Sequence, residues 1–158
     1  MITALKPCTI LMADDDPDDR LLVKDALSEC KEEAGIAEPL RFVDDGEDLM
    51  DYLLRRGRHG GEADSPRPDL ILLDLNMPRK DGREALREIR SHPELRSIPV
   101  VIFTTSRAET DIKLVYELGA NSFVTKPVQF DTLVKTLSLI VRYWLGVVEL
   151  PTLIPRRA

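Results

Sequence analysis

Short apolar segments alternate with longer amphipathic segments along the chain, and the alternation repeats five times. The apolar segments have the length of β-strands, and three of them are almost continuously apolar, as expected of parallel strands covered on both faces. The amphipathic segments repeat apolar residues at the three- and four-residue spacing of one helix face. The predicted strands are residues 9–13, 40–43, 69–74, 98–104 and 121–125. The predicted helices are residues 17–34, 47–56, 83–91, 108–118 and 130–144.

Strict alternation of strand and helix predicts an α/β fold with a doubly wound parallel sheet and right-handed crossovers. Two segments look like additions to this plan. The loop 55–68 is rich in glycine, proline and charge, which predicts an irregular excursion before the third strand. The tail after residue 143 is apolar but broken by proline. We therefore expect one domain over 1–143 and a C-terminal extension over 144–158.

Composition narrows the classes of function. The chain has 158 residues and a formal net charge of −6, which argues against a general nucleic-acid binder because such proteins need a basic surface. The 2 cysteines form no CxxC pair, so a disulfide framework and a structural zinc site are not expected. No apolar run approaches the ~20 residues of a membrane span, and the N-terminus lacks the apolar core of a signal peptide. We expect a cytoplasmic protein without membrane contact.

Acidic residues at the carboxyl ends of the first and third predicted strands lie at positions suited to a shared site. Asp14 and Asp15 follow the first strand, and Asp74 ends the third. Functional groups in an open α/β sheet gather at these carboxyl ends, and three neighbouring carboxylates repel one another unless a cation lies between them. Carboxylate oxygens with open positions for water and phosphate suit Mg²⁺ or Mn²⁺. The sequence therefore predicts a divalent-cation site.

A hydroxyl and an ammonium group complete the pattern. Thr104 ends the fourth strand, and Lys126 follows the fifth. Both side chains can donate to a phosphoryl oxygen, and the lysine also brings positive charge. Carboxylates, a cation, a hydroxyl and a lysine together predict a phosphoryl-transfer site with a carboxylate nucleophile.

The acidic run after the first strand, DDDPDD, divides into two parts. Asp16 suits the N-cap of the first helix, Pro17 its first position, and Asp18 and Asp19 its first turn, where negative charge favours the helix dipole. Asp14 and Asp15 precede the helix and need another explanation. We interpret the run as a helix start joined to a metal site.

Four motifs in this order resemble those of response regulator receiver domains of two-component signalling. They are the acid pair Asp14-Asp15, DLILLDLNMPRKDG (69–82), TTS (104–106) and TKP (125–127). The resemblance covers about residues 8–143. It implies a (βα)5 flavodoxin-like fold with the strand order 2-1-3-4-5.

The resemblance also implies the roles of particular residues at the metal site. Asp74 would be the phosphoacceptor. Asp15, Asp74 and the backbone carbonyl of Asn76 would bind Mg²⁺ or Mn²⁺, and Asp14 would help through water.

Further implied roles concern the phosphoryl group itself. Thr104 and Lys126 would hold phosphoryl oxygens, and Phe123 would be the aromatic switch residue three positions before the lysine. Asn76 and Ser106 flank the site and would set the rate of hydrolysis.

A narrower likeness concerns three segments. The long loop before PDLILLDLNMP, the run IPVVIFTTS and the ending RYWLGVVELP resemble stand-alone response regulators that serve bacterial phytochrome-type histidine kinases. This implies a sensor histidine kinase as partner and signalling through protein contacts to a downstream protein that the sequence does not identify. We expect no enzymatic activity beyond assistance to phosphorylation and dephosphorylation of the chain itself.

Two other functions fit parts of the pattern. A metal-dependent phosphatase of the haloacid-dehalogenase type has an aspartyl nucleophile in a DxD motif after the first strand, and Asp14-Asp15-Asp16 contains that spacing. Asp74 would then lack a role. A passive interaction module with a degenerate receiver fold would not need the complete residue set.

The tail carries more apolar residues than a finished domain leaves in water. Such residues either fold back onto the domain or bury against a second copy. We expect a homodimer, because two-fold dimers are the commonest assembly and the family likeness points the same way. The expected interface residues in the tail are Trp144, Leu145, Val147, Val148 and Leu150.

Overall fold

Five parallel strands form one sheet in the order β2-β1-β3-β4-β5 in the computed structural model, which describes residues 8–34, 40–61 and 65–151. This confirms the predicted fold class and strand order. The strands are β1 (Ile10–Ala13), β2 (Leu40–Val43), β3 (Leu70–Leu73), β4 (Val100–Thr104) and β5 (Ser122–Thr125). The helices are α1 (Pro17–Ala34), α2 (Gly46–Leu54), α3 (Gly82–Ser91), α4 (Glu109–Leu118) and α5 (Phe130–Val141). No helix in the described ranges is long and apolar enough to cross a membrane.

Successive side chains of the central strands point to opposite faces of the sheet, and each face has its own core. On β1, Leu11 packs into the core that includes residues of α2, α3 and α4, such as Leu86. Met12 packs into the core that includes residues of α1 and α5, such as Val23 and Leu137. Burial on both faces explains why β1, β3 and β4 read as continuous apolar runs in the sequence.

Polar caps and left-handed residues set the ends of the helices. The carboxylate of Asp45 accepts from the backbone N–H of Asp48 at the start of α2. Asp16 likewise accepts from the N–H of Asp18 at 2.9 Å, as predicted for the start of α1. Gly119 ends α4 with φ 104°, a backbone conformation that glycine adopts without steric cost.

The last helix differs from its prediction over 130–144. The α-helix ends at Val141 and continues as a π-helical turn over Arg142–Val147. In this wider turn, Trp144 and Leu145 both pack against the core next to α5, although they are consecutive in sequence. The helix therefore crosses the expected boundary between residues 143 and 144.

The described part of the loop 55–68 is anchored on α2. A short 3-10 turn over Gly57–His59 places Arg58 and His59 against the carboxylate of Asp48. The hydroxyl of Tyr52 donates to the Pro66 carbonyl at 2.9 Å. These contacts hold the loop close to the end of β2.

Candidate functional site

The carboxyl ends of four strands bring the predicted site residues together. Asp14 follows β1, Asp74 follows β3, Thr104 ends β4 and Lys126 follows β5. The sheet pairing continues into the site, since the Asp74 N–H donates to the Ala13 carbonyl and the Lys126 N–H donates to the Thr104 carbonyl, at 3.1 and 2.8 Å. These backbone bonds fix where each side chain starts, so the distances between the functional groups follow from the fold.

Lys126 is surrounded by carboxylates. Its Nζ lies 2.5 Å from Asp14 Oδ2, 2.9 Å from Asp19 Oδ2 and 3.3 Å from Asp74 Oδ2. An ammonium group has three N–H donors, so the three contacts match its full capacity. Lys126 thereby supplies positive charge that compensates the acidic cluster.

Asp74 is held through both of its carboxylate oxygens. The Thr104 hydroxyl donates to Oδ1 at 2.7 Å, while Oδ2 faces the ammonium of Lys126. Asp74 and Thr104 are both buried. The carboxylate is therefore fixed in orientation by groups from two other strands.

Burial and charge shift the pKa values in this cluster. Burial raises the pKa of Asp14 above its ordinary value and outweighs the opposing effect of its hydrogen bond with Lys126. For Lys126, burial alone would lower the pKa, but hydrogen bonds to Asp14 and Asp19 and the charge of Asp74 raise it well above its ordinary value. The two shifts have different causes, because burial dominates for Asp14 whereas the surrounding carboxylates dominate for Lys126. Lys126 is positively charged throughout the physiological pH range.

The donor set fits a hard divalent cation. Asp14, Asp15 and Asp74 each offer a carboxylate oxygen, and these three oxygens lie within 4.8 Å of one another. Asp15 is exposed and the other two are buried, so the group lies at the surface end of the cluster. Mutually close carboxylates at an open edge are the ligands that Mg²⁺ and Mn²⁺ prefer.

The family model of the response regulator receiver domain matches residues 10–138 of this chain. The chain belongs to this family. The match spans all five strands, the first four helices and most of α5, and it includes the acidic cluster, Thr104 and Lys126. The receiver fold predicted from the four motifs is thereby confirmed.

Similar proteins include response regulators of phytochromes and of red light signaling. Rcp1 from Synechocystis sp. is 41% identical over 145 residues, which cover 92% of this chain and 94% of Rcp1. The structure of the phosphorylated cyanobacterial phytochrome response regulator RcpA has a TM-score of 0.83 at 38% identity and covers 93% of this chain and 100% of RcpA. Response regulator RPA3017, in red light signaling of R. palustris, has a TM-score of 0.81 at 36% identity, covering 92% and 99% of the two chains. The predicted likeness to phytochrome response regulators is confirmed.

One relative has also been solved with a metal ion. The Mn²⁺-bound structure of Rcp1 has a TM-score of 0.78 at 39% identity and covers 92% of this chain and 100% of that one. The acidic cluster of the present receiver domain provides a donor set suited to the same kind of ion.

Asn76 and Ser106 flank the site of this receiver domain, as predicted. The backbone N–H of Asn76 points toward Asp74 Oδ1 at 3.4 Å, a long contact. The Ser106 hydroxyl donates to Asp111 Oδ2 at 2.7 Å, and Arg83 binds the other oxygen of Asp111 through two N–H groups. Arg83 and Ser106 lower the pKa of Asp111 below its ordinary value. Ser106 is therefore tied to an ion pair between α3 and α4.

Phe123 does not contact the acidic cluster directly. It lies in the middle of β5, opposite Ile102 of β4, and packs against the core beneath α2, α3 and α4. Thr104 is paired with Thr125 instead. Phe123 thus lies two residues before Thr125, the partner of Thr104 in the β4–β5 pairing. It is partly buried and adjacent to α4.

The tail residues divide between the core and the surface. Trp144 and Leu145 pack against the core of the receiver domain, whereas Val147 is exposed. Val148 is half-buried, and Leu150 borders a small cavity together with Pro68 and Pro99. Residues 152–158 lie outside the described residues.

Sequence reasoning missed the role of Asp19. We interpreted this residue only as a first-turn acid of α1, yet its carboxylate binds Lys126, which is 107 positions away in sequence. The available signal was its position in the first turn of α1, which begins directly after the acid pair at the carboxyl end of β1. Only the fold shows that Lys126 is there to meet it.

Proposed function

We propose that this receiver domain accepts a phosphoryl group on Asp74 from a histidine kinase and signals through a phosphorylation-dependent change in protein contacts. One observation supports the proposal above all others. The Asp74 carboxylate lies between the Thr104 hydroxyl and the Lys126 ammonium, beside two further carboxylates suited to a divalent cation. The protein groups that would hold a cation and stabilise charge on a transferred phosphoryl group lie within one cluster.

In this mechanism, an oxygen of Asp74 attacks the phosphorus of a phosphohistidine presented by the kinase. The new O–P bond forms as the P–N bond breaks, and the electron pair of that bond leaves with the imidazole. Lys126 and Thr104 donate hydrogen bonds to the transferred oxygens. Mg²⁺ or Mn²⁺, held by Asp14, Asp15, Asp74 and the backbone carbonyl of Asn76, would supply further positive charge against those oxygens.

Phosphorylation then changes the charge at a buried position. A phosphoryl group carries about −1.5 to −2 charges near neutral pH, which favours rotation of the Thr104 hydroxyl toward it. Phe123 fills the space that this movement opens, and the surface of α4, β5 and α5 shifts between two arrangements. Asn76 and Ser106 set the lifetime of the phosphorylated state.

The proposed partner is a phytochrome-type histidine kinase, because the similar solved structures include one cyanobacterial phytochrome response regulator and two bacteriophytochrome response regulators. The downstream target is a protein of unknown identity. We propose no catalytic turnover beyond assistance to phosphorylation and dephosphorylation of the chain itself. The cytoplasmic location and the division into residues 1–143 and 144–158 stay predictions from the sequence.

The two alternative functions are not favoured. A DxD phosphatase would need Asp14 and Asp16 as a catalytic pair, but Asp16 is exposed and accepts from the N–H of Asp18 as a helix cap. A passive module would not need Thr104 and Lys126 directed at Asp74. Turnover of a generic phosphate ester would favour the phosphatase.

We further propose a homodimer through an apolar stripe on the last helix. Leu139, Tyr143 and Val147 recur every four residues and are 68, 52 and 70% exposed. This spacing places them on one side of α5 and the turn that continues it. The stripe replaces Trp144 and Leu145 in the expected interface, since those two side chains pack against the core of their own chain.

Labelling with a small phosphodonor in the presence of Mg²⁺ tests the proposed phosphoacceptor. We expect stoichiometric labelling of the wild type and background labelling of Asp74→Asn. Asp69→Asn is a matched control, because Asp69 caps the other end of β3 by accepting from the Thr9 N–H at 2.9 Å. Equal labelling of Asp74→Asn and the wild type would refute the assignment.

Phosphotransfer profiling against histidine kinases would then test the partner, with fastest transfer expected from a phytochrome-type kinase.

A further inference from the structure

Close backbone contacts fix the loop between β3 and α3, residues 74–81, at two points. Where the loop joins α3, the Gly82 N–H donates to the Leu75 carbonyl at 3.0 Å, and a Cβ at position 82 would overlap the Asp74 carbonyl oxygen. In its middle, the Gly46 N–H donates to the Lys80 carbonyl at 2.9 Å, and a Cβ at position 46 would overlap that oxygen. The loop therefore rests directly on the start of α2.

Arg79, near the tip of this loop, has an unfavourable backbone conformation. Its φ is 64°, in the left-handed region that favours glycine, and one other non-glycine residue in the described ranges, Arg55, has a positive φ. A residue with a long side chain keeps such a conformation only when its surroundings stabilise it. The contacts of the Arg79 side chain show which residue stabilises this backbone conformation.

The side chain of Arg79 binds a buried carboxylate. Its Nε and Nη2 donate to Oδ2 of Asp45 at 2.8 and 2.6 Å. The Asp45 side chain is 4% exposed, and its other oxygen accepts from the Asp48 N–H at the start of α2. Asp45 thus has two distinct roles, one for each oxygen. The helix cap explains Oδ1, but it does not explain why Oδ2 binds an arginine in a strained backbone.

The position of the loop suggests the reason. It begins at Asp74 and carries Asn76, whose backbone N–H faces Asp74 Oδ1. Since Arg79 is only three residues beyond Asn76, any freedom of the backbone at Arg79 is transmitted to Asn76. A fixed loop holds the Asn76 backbone in place before a cation arrives, which reduces the entropy lost when the cation binds.

We propose that Arg79 and Asp45 are positioning residues for the cation site: their ion pair fixes the β3–α3 loop and with it the backbone of Asn76. The pair joins the metal site to the N-terminus of α2, which contributes no side chain to the site. This inference rests on the proposed function, because it concerns the cation that Asp14, Asp15 and Asp74 would bind.

Two substitutions separate the ion pair from its other effects. Arg79→Asn keeps a residue that tolerates the left-handed conformation but cannot reach Asp45 with a charge. Asp45→Asn keeps an oxygen that can cap α2 and removes the carboxylate. Arg56→Asn is the matched control, since Arg56 forms an ion pair with Asp51 at 2.7 Å on α2, outside the loop. Mg²⁺ affinity is measured by calorimetry, and amide hydrogen exchange of residues 76–81 is measured without metal.

We expect Mg²⁺ to bind roughly tenfold more weakly to both single variants, which is the effect typical of residues that orient metal ligands. The double variant should lose no more than either single variant, because both substitutions break the same pair. Amide exchange at Asn76 and Lys80 should accelerate in the metal-free protein, and Arg56→Asn should match the wild type. Affinities within twofold of the wild type, additive losses or unchanged exchange would overturn the inference. Absence of Mg²⁺ binding to the wild type would instead refute the proposed metal site.

Discussion

Lys126 explains how a cluster of buried acids can exist before any cation binds. Asp14 is fully buried, and a buried carboxylate without a partner is costly. The ammonium of Lys126 contacts Asp14, Asp19 and Asp74 at once, so one positive charge compensates the group. The same contacts hold Lys126 beside the position where phosphoryl oxygens would arrive.

Substitutions of Asp15 and Asp18 should show which acidic residues form the metal site and which belong only to the start of α1. We expect Asp15→Ala to weaken Mg²⁺ binding at least about tenfold, because it removes one of three clustered carboxylate oxygens. Asp18→Ala, in the first turn of α1, should leave the affinity within about twofold. Titration calorimetry measures both. Equal losses would mean that the acidic run acts as a diffuse negative field rather than as a discrete site.

At the level of secondary structure, the buried carboxylate of Asp48 connects α2 to the loop that follows it. Asp48 accepts from Arg58 Nε at 2.9 Å, from the Asp44 N–H at 2.9 Å and from His59 Nε2 at 2.8 Å. Burial alone would raise its pKa, but these hydrogen bonds outweigh burial and lower the pKa of Asp48 to about 2. Asp48 thus joins the end of β2 to the loop that begins at residue 55.

This shift predicts an acid-dependent loss of stability. The folded-state pKa is lower than the ordinary value of 3.8, so Asp48 stabilises the fold above about pH 4 and loses that effect as the pH falls toward 2. The contribution is about 2 kcal/mol of unfolding free energy. We expect Asp48→Asn to be less stable than the wild type at pH 7 by about this amount, with the difference shrinking as the pH falls.

Denaturant unfolding at several pH values measures this difference. Asp51→Asn is the control on the same helix, since the Asp51 side chain is 39% exposed and pairs with Arg56. A constant difference between Asp48→Asn and the wild type from pH 7 to pH 2.5 would show that the Asp48 ion pairs do not produce the shift.

For the whole molecule, an exposed apolar stripe lies on α5 and its π-helical extension. Leu139, Tyr143 and Val147 form one exposed stripe, whereas Trp144 and Leu145 complete the core beside α5. Part of the tail therefore folds back onto the domain, and part of it faces outward. The outward part is the surface that a second copy would cover.

Charge introduced into this stripe should disrupt the proposed dimer. We expect Leu139→Glu to raise the dimer Kd by about 30-fold, which corresponds to about 2 kcal/mol for an unpaired charge at the centre of an interface. Leu21→Glu is the matched control, because Leu21 is also an exposed leucine, at 57%, but lies on α1. Analytical ultracentrifugation over a concentration series distinguishes the two. A dimer that Leu139→Glu leaves intact would place the interface elsewhere.

The amino-acid sequence by itself indicated the α/β fold class and the cluster of Asp14, Asp15, Asp74, Thr104 and Lys126, because strand and helix periodicity are local properties and parallel strands gather their carboxyl ends at one edge. The strand order followed only from the resemblance of the four motifs to receiver domains, since periodicity does not encode which strands are neighbours. Helix ends at Asp16 and Gly119 were predictable for the same reason, since capping depends on neighbouring residues.

Only the tertiary structure decided which residues meet across long sequence separations. Asp19 reaches Lys126, and Arg79 reaches Asp45 from 34 positions away, and no local pattern encodes either pair. The packing of the tail is likewise decided by the tertiary structure. Whether Trp144 faces the core depends on the π-helical turn and on the surface that α1 and α5 present. Packing choices of this kind depend on the sum of many distant contacts, which a single sequence does not display residue by residue.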